Sequence, residues 1–151
     1  MKIEIKSWIS GSVLFSHEAE ENSLRITLES AVTARAYLDG ANLAGAYLDG
    51  AYLDGAYLAG ANLDGEVLTK APISLINLYW SVLITGRYLR IGCQRHTHEE
   101  WVQFSDDQIN QMDRGALKFW RKWKTALLAL CDQYHEEPAK EEAQEQEQEA
   151  A

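Results

Sequence analysis

Cysteine is scarce in this chain, with only Cys93 and Cys131 among 151 residues. Two cysteines suggest no disulfide framework. Long apolar runs are missing as well. No stretch could span a bilayer, and Lys2, Glu4 and Lys6 interrupt the start, where a signal peptide needs a continuous apolar run. These absences lead us to expect a cytoplasmic protein with no membrane partner. Positive charge is the third shortage, because 14 Lys+Arg face 23 Asp+Glu for a net charge of −9. The imbalance is uneven. Residues 1–35 carry 4 bases and 5 acids, and residues 36–85 carry one base (Lys70) and 5 acids. Residues 86–135 carry 8 bases and 6 acids, whereas 136–151 carry one base (Lys140) and 7 acids. The last stretch, EEPAKEEAQEQEQEAA, has no apolar periodicity and is expected to be a disordered, solvating tail.

What is abundant is one five-residue phrase. From Ala36 to Gly65 the chain reads AYLDG, ANLAG, AYLDG, AYLDG, AYLAG, ANLDG. A period of five fits neither a helix nor an ordinary strand. It requires a bend in every unit, and glycine at the fifth position relieves that bend sterically. If Ala and Leu point inward, each unit supplies one small and one large apolar group. Four units then close a coil of about twenty residues, and coils stack at roughly 4.8 Å. Tyr37, Tyr57 and Asn77 fall on one outer face, and Asn42 and Asn62 on the next. Such Tyr and Asn ladders clothe and stabilise a coil, or offer a stacking platform for bases. In the same frame the inward centres continue through Leu68, Ile73, Leu78 and Leu83 toward Cys93, while Glu66 is the first departure from small inward partners.

This phrase resembles the pentapeptide-repeat family. The resemblance implies a mainly β fold, a right-handed quadrilateral β-helix, over residues 36–95. Residues 1–35 are expected to cap it with a hairpin and a helix. Ile3, Ile5, Val13 and Phe15 flank a turn at Ser10-Gly11, and Ala19, Leu24, Leu28, Ala31 and Val32 have helical spacing, with Glu18, Glu20 and Glu21 in the first turn. Leu28 and Thr33 also fall in the repeat frame, so an earlier start of the coil is the rival. Residues 96–135 are expected to be helical. Ser105-Asp106-Asp107-Gln108 is a capping-box sequence, and Asp113-Arg114-Gly115 breaks that helix. A second helix comes next, with Ala116, Trp120, Trp123, Leu127, Leu130 and Tyr134 on one stripe widened by Phe119 and Ala126. Such a stripe needs cover, from the coil (Val82, Ile84 and Leu89 are expected to face outward and receive it) or from a second copy. Trp120, Trp123, Leu127 and Leu130 are therefore candidate contacts of a homodimer or higher homo-oligomer. Lys118, Arg121, Lys122 and Lys124 lie between them as a solvated side or an anion-binding strip.

The one chemically suggestive segment is residues 86–101, GRYLRIGCQRHTHEEW. Cys93, His96 and His98, with Glu99 or Glu100, could in principle ligate zinc, but the spacing matches no standard site, so no metal and no cofactor are expected. A Cys–His nucleophile pair lacks an orienting third group. The sharper reading is a ligand site in which Arg87, Arg90, Arg95, His96 and His98 face an anionic group while Tyr88 or Trp101 stacks on a ring. The bland reading is a structural junction, with Cys93 the last inward residue of the coil. The GSVLF start, the EAE run, the coil and the GC–HT–EEW segment before a Trp-rich helix together resemble small pentapeptide-repeat proteins of bacteriophages and prophages. That resemblance implies an accessory viral protein without catalytic residues. We expect a non-enzymatic binding protein that counters a host system by engaging a host protein or by sequestering a small anionic, nucleotide-like ligand. One alternative is a DNA mimic acting on the topoisomerase gyrase, as some family members do. Another is a purely structural interaction protein. Two and a half coils span only about 12 Å, and duplex DNA carries about one charge per 1.7 Å, so mimicry by one copy and direct nucleic-acid binding are both disfavoured.

Overall fold

Glycine steers the repeat. In the computed structural model the Ala41 N–H donates to the Leu38 carbonyl at 2.9 Å across Asp39 and Gly40, and Gly40 has φ 75°. A positive φ at the third of four residues makes this a type II turn, the geometry that selects glycine. The same bond recurs from Ala46 to Leu43, Ala51 to Leu48, Ala56 to Leu53 and Ala61 to Leu58. A turn in every unit sends the Ala and Leu side chains to one side. Leu38, Leu43, Leu48, Leu53, Leu58 and Leu63 are buried, together with Ala41, Ala46, Ala51 and Ala61. Each such leucine contributes on the order of 1.5–3 kcal/mol. The structure describes residues 1–44, 46, 48, 51–53 and 55–135, with only the backbone of His135. The acidic tail 136–151, Asp49 and Asp54 lie outside the described residues.

Units four apart meet. Tyr37 and Tyr57 form a parallel bridge, as do Asn42 and Asn62, each pair twenty residues apart (57 − 37 and 62 − 42). Leu38 N–H donates to Tyr57 O at 3.0 Å, Leu43 N–H to Asn62 O at 2.8 Å, and Asn62 N–H back to Ala41 O at 2.8 Å. The Gly40 and Gly60 corners lie against each other, since a Cβ on Gly60 would sit 3.6 Å from Gly40 N.

The N-terminal segment closes the start of the repeat. Strands β1 (Lys2–Lys6) and β2 (Val13–Glu18) pair antiparallel. Asn42 N–H donates to Lys6 O at 2.7 Å, and the backbone N–H of Trp8 donates to Gly40 O at 3.0 Å. The Trp8 indole N–H reaches one level further, to Gly60 O at 2.7 Å. Trp8→Phe keeps most of the ring and removes that bond, so stability should fall by about 0.5–1.5 kcal/mol. An unchanged urea midpoint would show that the bond contributes nothing in solution. Helix α1 (Leu24–Thr33) adds Leu28 and Ala31 to the core that holds Ile5 and the repeat leucines. The helix displaces the rival early coil, but it starts later than the run of glutamates suggests. β2 extends through Glu18, and no acidic residue lies in the first turn of α1. Capping chemistry decides the start. Ser23 Oγ accepts from Ile26 N–H, while Asn22 Oδ1 accepts from Ser23 N–H and the Thr27 hydroxyl.

The frame that continues past Gly65 in sequence does not continue in space. Asp64 (φ 49°) and Gly65 (φ 87°) both lie in the left-handed region and make a two-residue hairpin of the I′ kind between β3 (Asn62–Leu63) and β4 (Glu66–Val67). The chain turns back, so that Leu68 N–H bonds Ala61 O and Gly60 N–H bonds Leu68 O. Beyond it lies a four-stranded antiparallel sheet, in the order β5 (Ile73–Leu75), β6 (Val82–Ile84), β7 (Tyr88–Ile91), β8 (Gln94–Thr97). This corrects the expectation that the coil runs to residue 95. Cys93 is not an inward residue but is exposed in the β7–β8 turn, and Val82, Ile84 and Leu89 are buried rather than outward-facing. Leu83, from the opposite face of β6, joins the repeat core. The described residues thus form small antiparallel sheets and four helices.

The chain divides into two compact units, with the boundary between Gln103 and Phe104. The first ends with α2 (His98–Gln103). The second holds α3 (Asp106–Met112) and α4 (Ala116–His135). Ser105 caps α3 through the full reciprocal box with Gln108. Phe119, Trp120, Leu127, Cys131 and Tyr134 of α4 are buried, and Lys118, Arg121, Lys122 and Lys124 are exposed. Burial, and secondarily Asp132, pushes the Cys131 thiol up to about 12, which leaves it protonated and inert at neutral pH. Of the candidate oligomer contacts, Trp120 and Leu127 are already buried in the single chain, and Trp123 and Leu130 are half-buried. No helix of the described residues is long and apolar enough to cross a membrane.

Candidate functional site

The six candidate ligand residues lie on β7, β8, α2 and the turn before β7. The hairpin that carries most of them is fixed at its tip by Gly92 (φ 55°), where a Cβ would sit 3.1 Å from the Trp80 ring. In the register Arg90 lies opposite Arg95, and Leu89 opposite His96. Alternation along a strand then sends Arg90 and Arg95 to one face and His96 to the other. The six residues therefore do not converge.

The arginine face is held by its own neighbours. The Arg95 guanidinium lies 3.6 Å from the centroid of the Tyr88 ring, with the Arg87 guanidinium at 5.7 Å. Arg90 Nε–H donates to Gly92 O at 3.1 Å. Like charges directly opposite in a sheet are destabilising. Here the Tyr88 ring faces the Arg95 guanidinium, and two acids, Asp64 and Glu66, line the same crevice. Glu66 also accepts the Arg87 backbone N–H at 3.1 Å. The crevice among these groups is only about 20 Å³. That is room for about one water.

The histidine face is built around Trp101, which is buried and donates its indole N–H to Leu89 O at 2.7 Å. Trp101 is thus a core residue of the first unit and not a free stacking surface for a ligand. The His96 ring stands edge-on to it at 5.2 Å, with Nε2 2.9 Å from Gln94 Oε1 and Nδ1 3.9 Å from Glu100 Oε2. His98 is buried, and its backbone N–H donates to Arg87 O. Among the described residues no group of three or more His, Cys, Asp or Glu could hold a metal ion.

A capping signal explains the HTHEE run. Thr97 Oγ1 accepts from Glu100 N–H, and Glu100 Oε1 accepts from Thr97 N–H, both at 3.1 Å. This is the Thr-x-x-Glu box that starts α2, legible in Thr97-His98-Glu99-Glu100 but overlooked beside the histidines. The Thr97 backbone N–H, the Thr97 hydroxyl and the His96 charge hold the Glu100 carboxyl below its ordinary value of 4.5, with slight desolvation opposing them. A depressed carboxyl stabilises the fold above its unfolded value and loses that contribution as pH falls through the folded one. Glu100→Ala should therefore lower the melting temperature at pH 7 and not at pH 2.5. An equal deficit at both values would show that the carboxylate charge is irrelevant.

Two further features lie outside the arginine–histidine segment. One is a cavity of about 530 Å³ beside Tyr52 and Ser74, which has no local signature in the sequence. The other is the tyrosine face of the repeat, where the Tyr37 and Tyr57 rings lie 5.0 Å apart at 40°. The twenty-residue bridges that place those rings belong to a known pattern. Residues 34–70 match the family model for pentapeptide repeats, in 8 copies. The match covers the repeat and continues five residues past the reversal at Gly65, so the sequence pattern outlasts the stacking. Neither a curated protein nor a solved structure matches the chain.

Proposed function

We propose that this chain is a non-enzymatic binding protein that engages a protein partner through the tyrosine face of its pentapeptide repeat, and that the repeat is a short right-handed quadrilateral β-helix. The observation that carries the first part is the Tyr37/Tyr57 pair. These rings are 73% and 45% exposed, yet they stand on backbone fixed by a bridge and by turn bonds. Large aromatic rings left in water on a rigid frame lose little entropy on binding, and tyrosine is enriched among the residues that dominate protein interfaces. The coil reading is supported by the twenty-residue offset of both parallel bridges and by the buried Ala/Leu register.

Sequestration of a nucleotide-like ligand draws less support. Its crevice of about 20 Å³ compares with the roughly 300–1,000 Å³ of small-molecule sites. The gyrase-directed alternative also weakens, because the chain reverses at Gly65 and the bridged faces are two rungs deep. The viral, host-directed setting rests on the whole-chain resemblance alone.

The test uses three immobilised proteins: wild type, the double variant Tyr37→Ser/Tyr57→Ser, and Arg95→Ala. We expect a bacterial protein to be retained by wild type and Arg95→Ala and lost by the double variant, whose melting temperature confirms folding. A partner lost only with Arg95→Ala would overturn the reading. So would a nucleotide that raises the melting temperature of wild type but not of Arg95→Ala.

A further inference from the structure

In the five-residue frame, residues 71–75 would stack one level above 51–55, twenty residues on. They do not stack in that way. Having left the frame at Gly65, the chain returns over this side through β5, and Ser74 Oγ–H donates to Ala51 O at 2.7 Å. A side-chain bridge holds two backbones further apart than the roughly 4.8 Å of a strand ladder. The resulting gap is the cavity of about 530 Å³, with Ala51, Tyr52 and Leu53 on one wall and Pro72, Ser74 and Ile76 on the other.

We propose that this cavity is a binding site for a small apolar aromatic molecule that carries one hydrogen-bond donor. Its volume lies in the roughly 300–1,000 Å³ range of small-molecule sites. Ala51, Leu53, Ala71, Pro72, Ile73 and Ile76 make the lining largely apolar, which suits an apolar ring. Among the lining side chains, the Ser74 hydroxyl sits between the two walls. Its proton is committed to Ala51, so it presents lone pairs and can only accept. An apolar ligand with an N–H or O–H completes the bond that the Ser74 oxygen leaves open. The site is separate from the tyrosine face, and neither proposal depends on the other.

Indole and 1-methylindole are suitable probes, because they share size and apolarity and differ in the donor. At ten times its Kd, indole should raise the folding equilibrium about elevenfold, a shift of several degrees in melting temperature for a unit of this size. 1-Methylindole should shift it far less. Ser74→Ala should erase the difference between the probes. Ile76→Trp, which adds bulk to a half-buried lining residue, should remove both shifts while melting no lower than wild type. The Tyr37→Ser/Tyr57→Ser variant should keep the indole shift, which separates this site from the protein-binding face. The proposal is overturned if indole leaves the wild-type melt unchanged, if folded Ile76→Trp responds like wild type, or if 1-methylindole matches indole on wild type.

Discussion

Leu48→Asp should abolish cooperative folding of the first unit, while Asp39→Ala leaves it nearly intact. Leu48 is 2% exposed and belongs to the continuous core of Ile5, Leu28 and the repeat leucines. Truncating a buried leucine to alanine already costs about 2–5 kcal/mol through lost transfer energy and the cavity left behind. Aspartate adds a carboxyl group with no partner to that apolar surround, which brings the cost into the range of about 5–15 kcal/mol by which typical domains are stable. Asp39 sits next to buried Leu38 along the chain but faces water, and a surface change of this kind usually stays within about 0.5 kcal/mol. Urea titration followed by far-UV circular dichroism reads both variants. Similar midpoints would show that the inward register is wrong.

Trp101→Ala should be the most damaging change in the segment that carries the arginines and histidines, costing about 3–5 kcal/mol. The ring is 2% exposed and is the packing partner of His96, and its indole N–H satisfies the buried Leu89 carbonyl. Trp101→Phe isolates the last contribution. It retains most of the packing and strands one acceptor, at about 1–3 kcal/mol. Arg95→Ala, on the other face and exposed, should cost far less. If Trp101→Ala melted like wild type and instead weakened binding of an anionic ligand, Trp101 would be a contact residue after all.

That contrast marks where the sequence was legible. Ser105 and Gln108 spelled out their capping box, and the Asp113-Arg114-Gly115 break stands where α3 ends. The stripe on α4 was legible in outline, although Cys131 belongs to its buried set and Ala126 is exposed. Capping and helical amphipathicity act within a turn or two, so a single segment contains all the information they use. The candidate ligand cluster failed for the opposite reason. Arg90, Arg95, His96 and His98 are near neighbours along the chain, but a hairpin's register decides which of them share a face. Nothing within residues 86–101 announced that Asp64 and Glu66, from the end of the repeat, would line the same crevice as the arginines.

By itself, the sequence determined the corners and the core of the repeat. Glycine at the fifth position admits the positive φ seen at Gly40, Gly55 and Gly60, and the constant Ala and Leu then have one side to share. Where the repeat stops was decided only in three dimensions. Leu38-Asp39-Gly40 and Leu63-Asp64-Gly65 are the same triplet, yet the first makes a type II corner and the second a hairpin with Asp64 also at positive φ. The triplets match but their flanks do not: Asn62 stands where Tyr37 does, and its Oδ1 accepts from Gly65 N–H at 2.9 Å, while the residue after the glycine also changes. Ala41 is small and enters the core, whereas Glu66 is charged, stays half-buried, and finds its partner in the Arg87 backbone N–H, 21 residues on. A carboxylate cannot occupy the apolar interior that the next level of the coil would have required. The chain reverses there instead, and the antiparallel sheet, the arginine face and the cavity beside Ser74 all result from that turn.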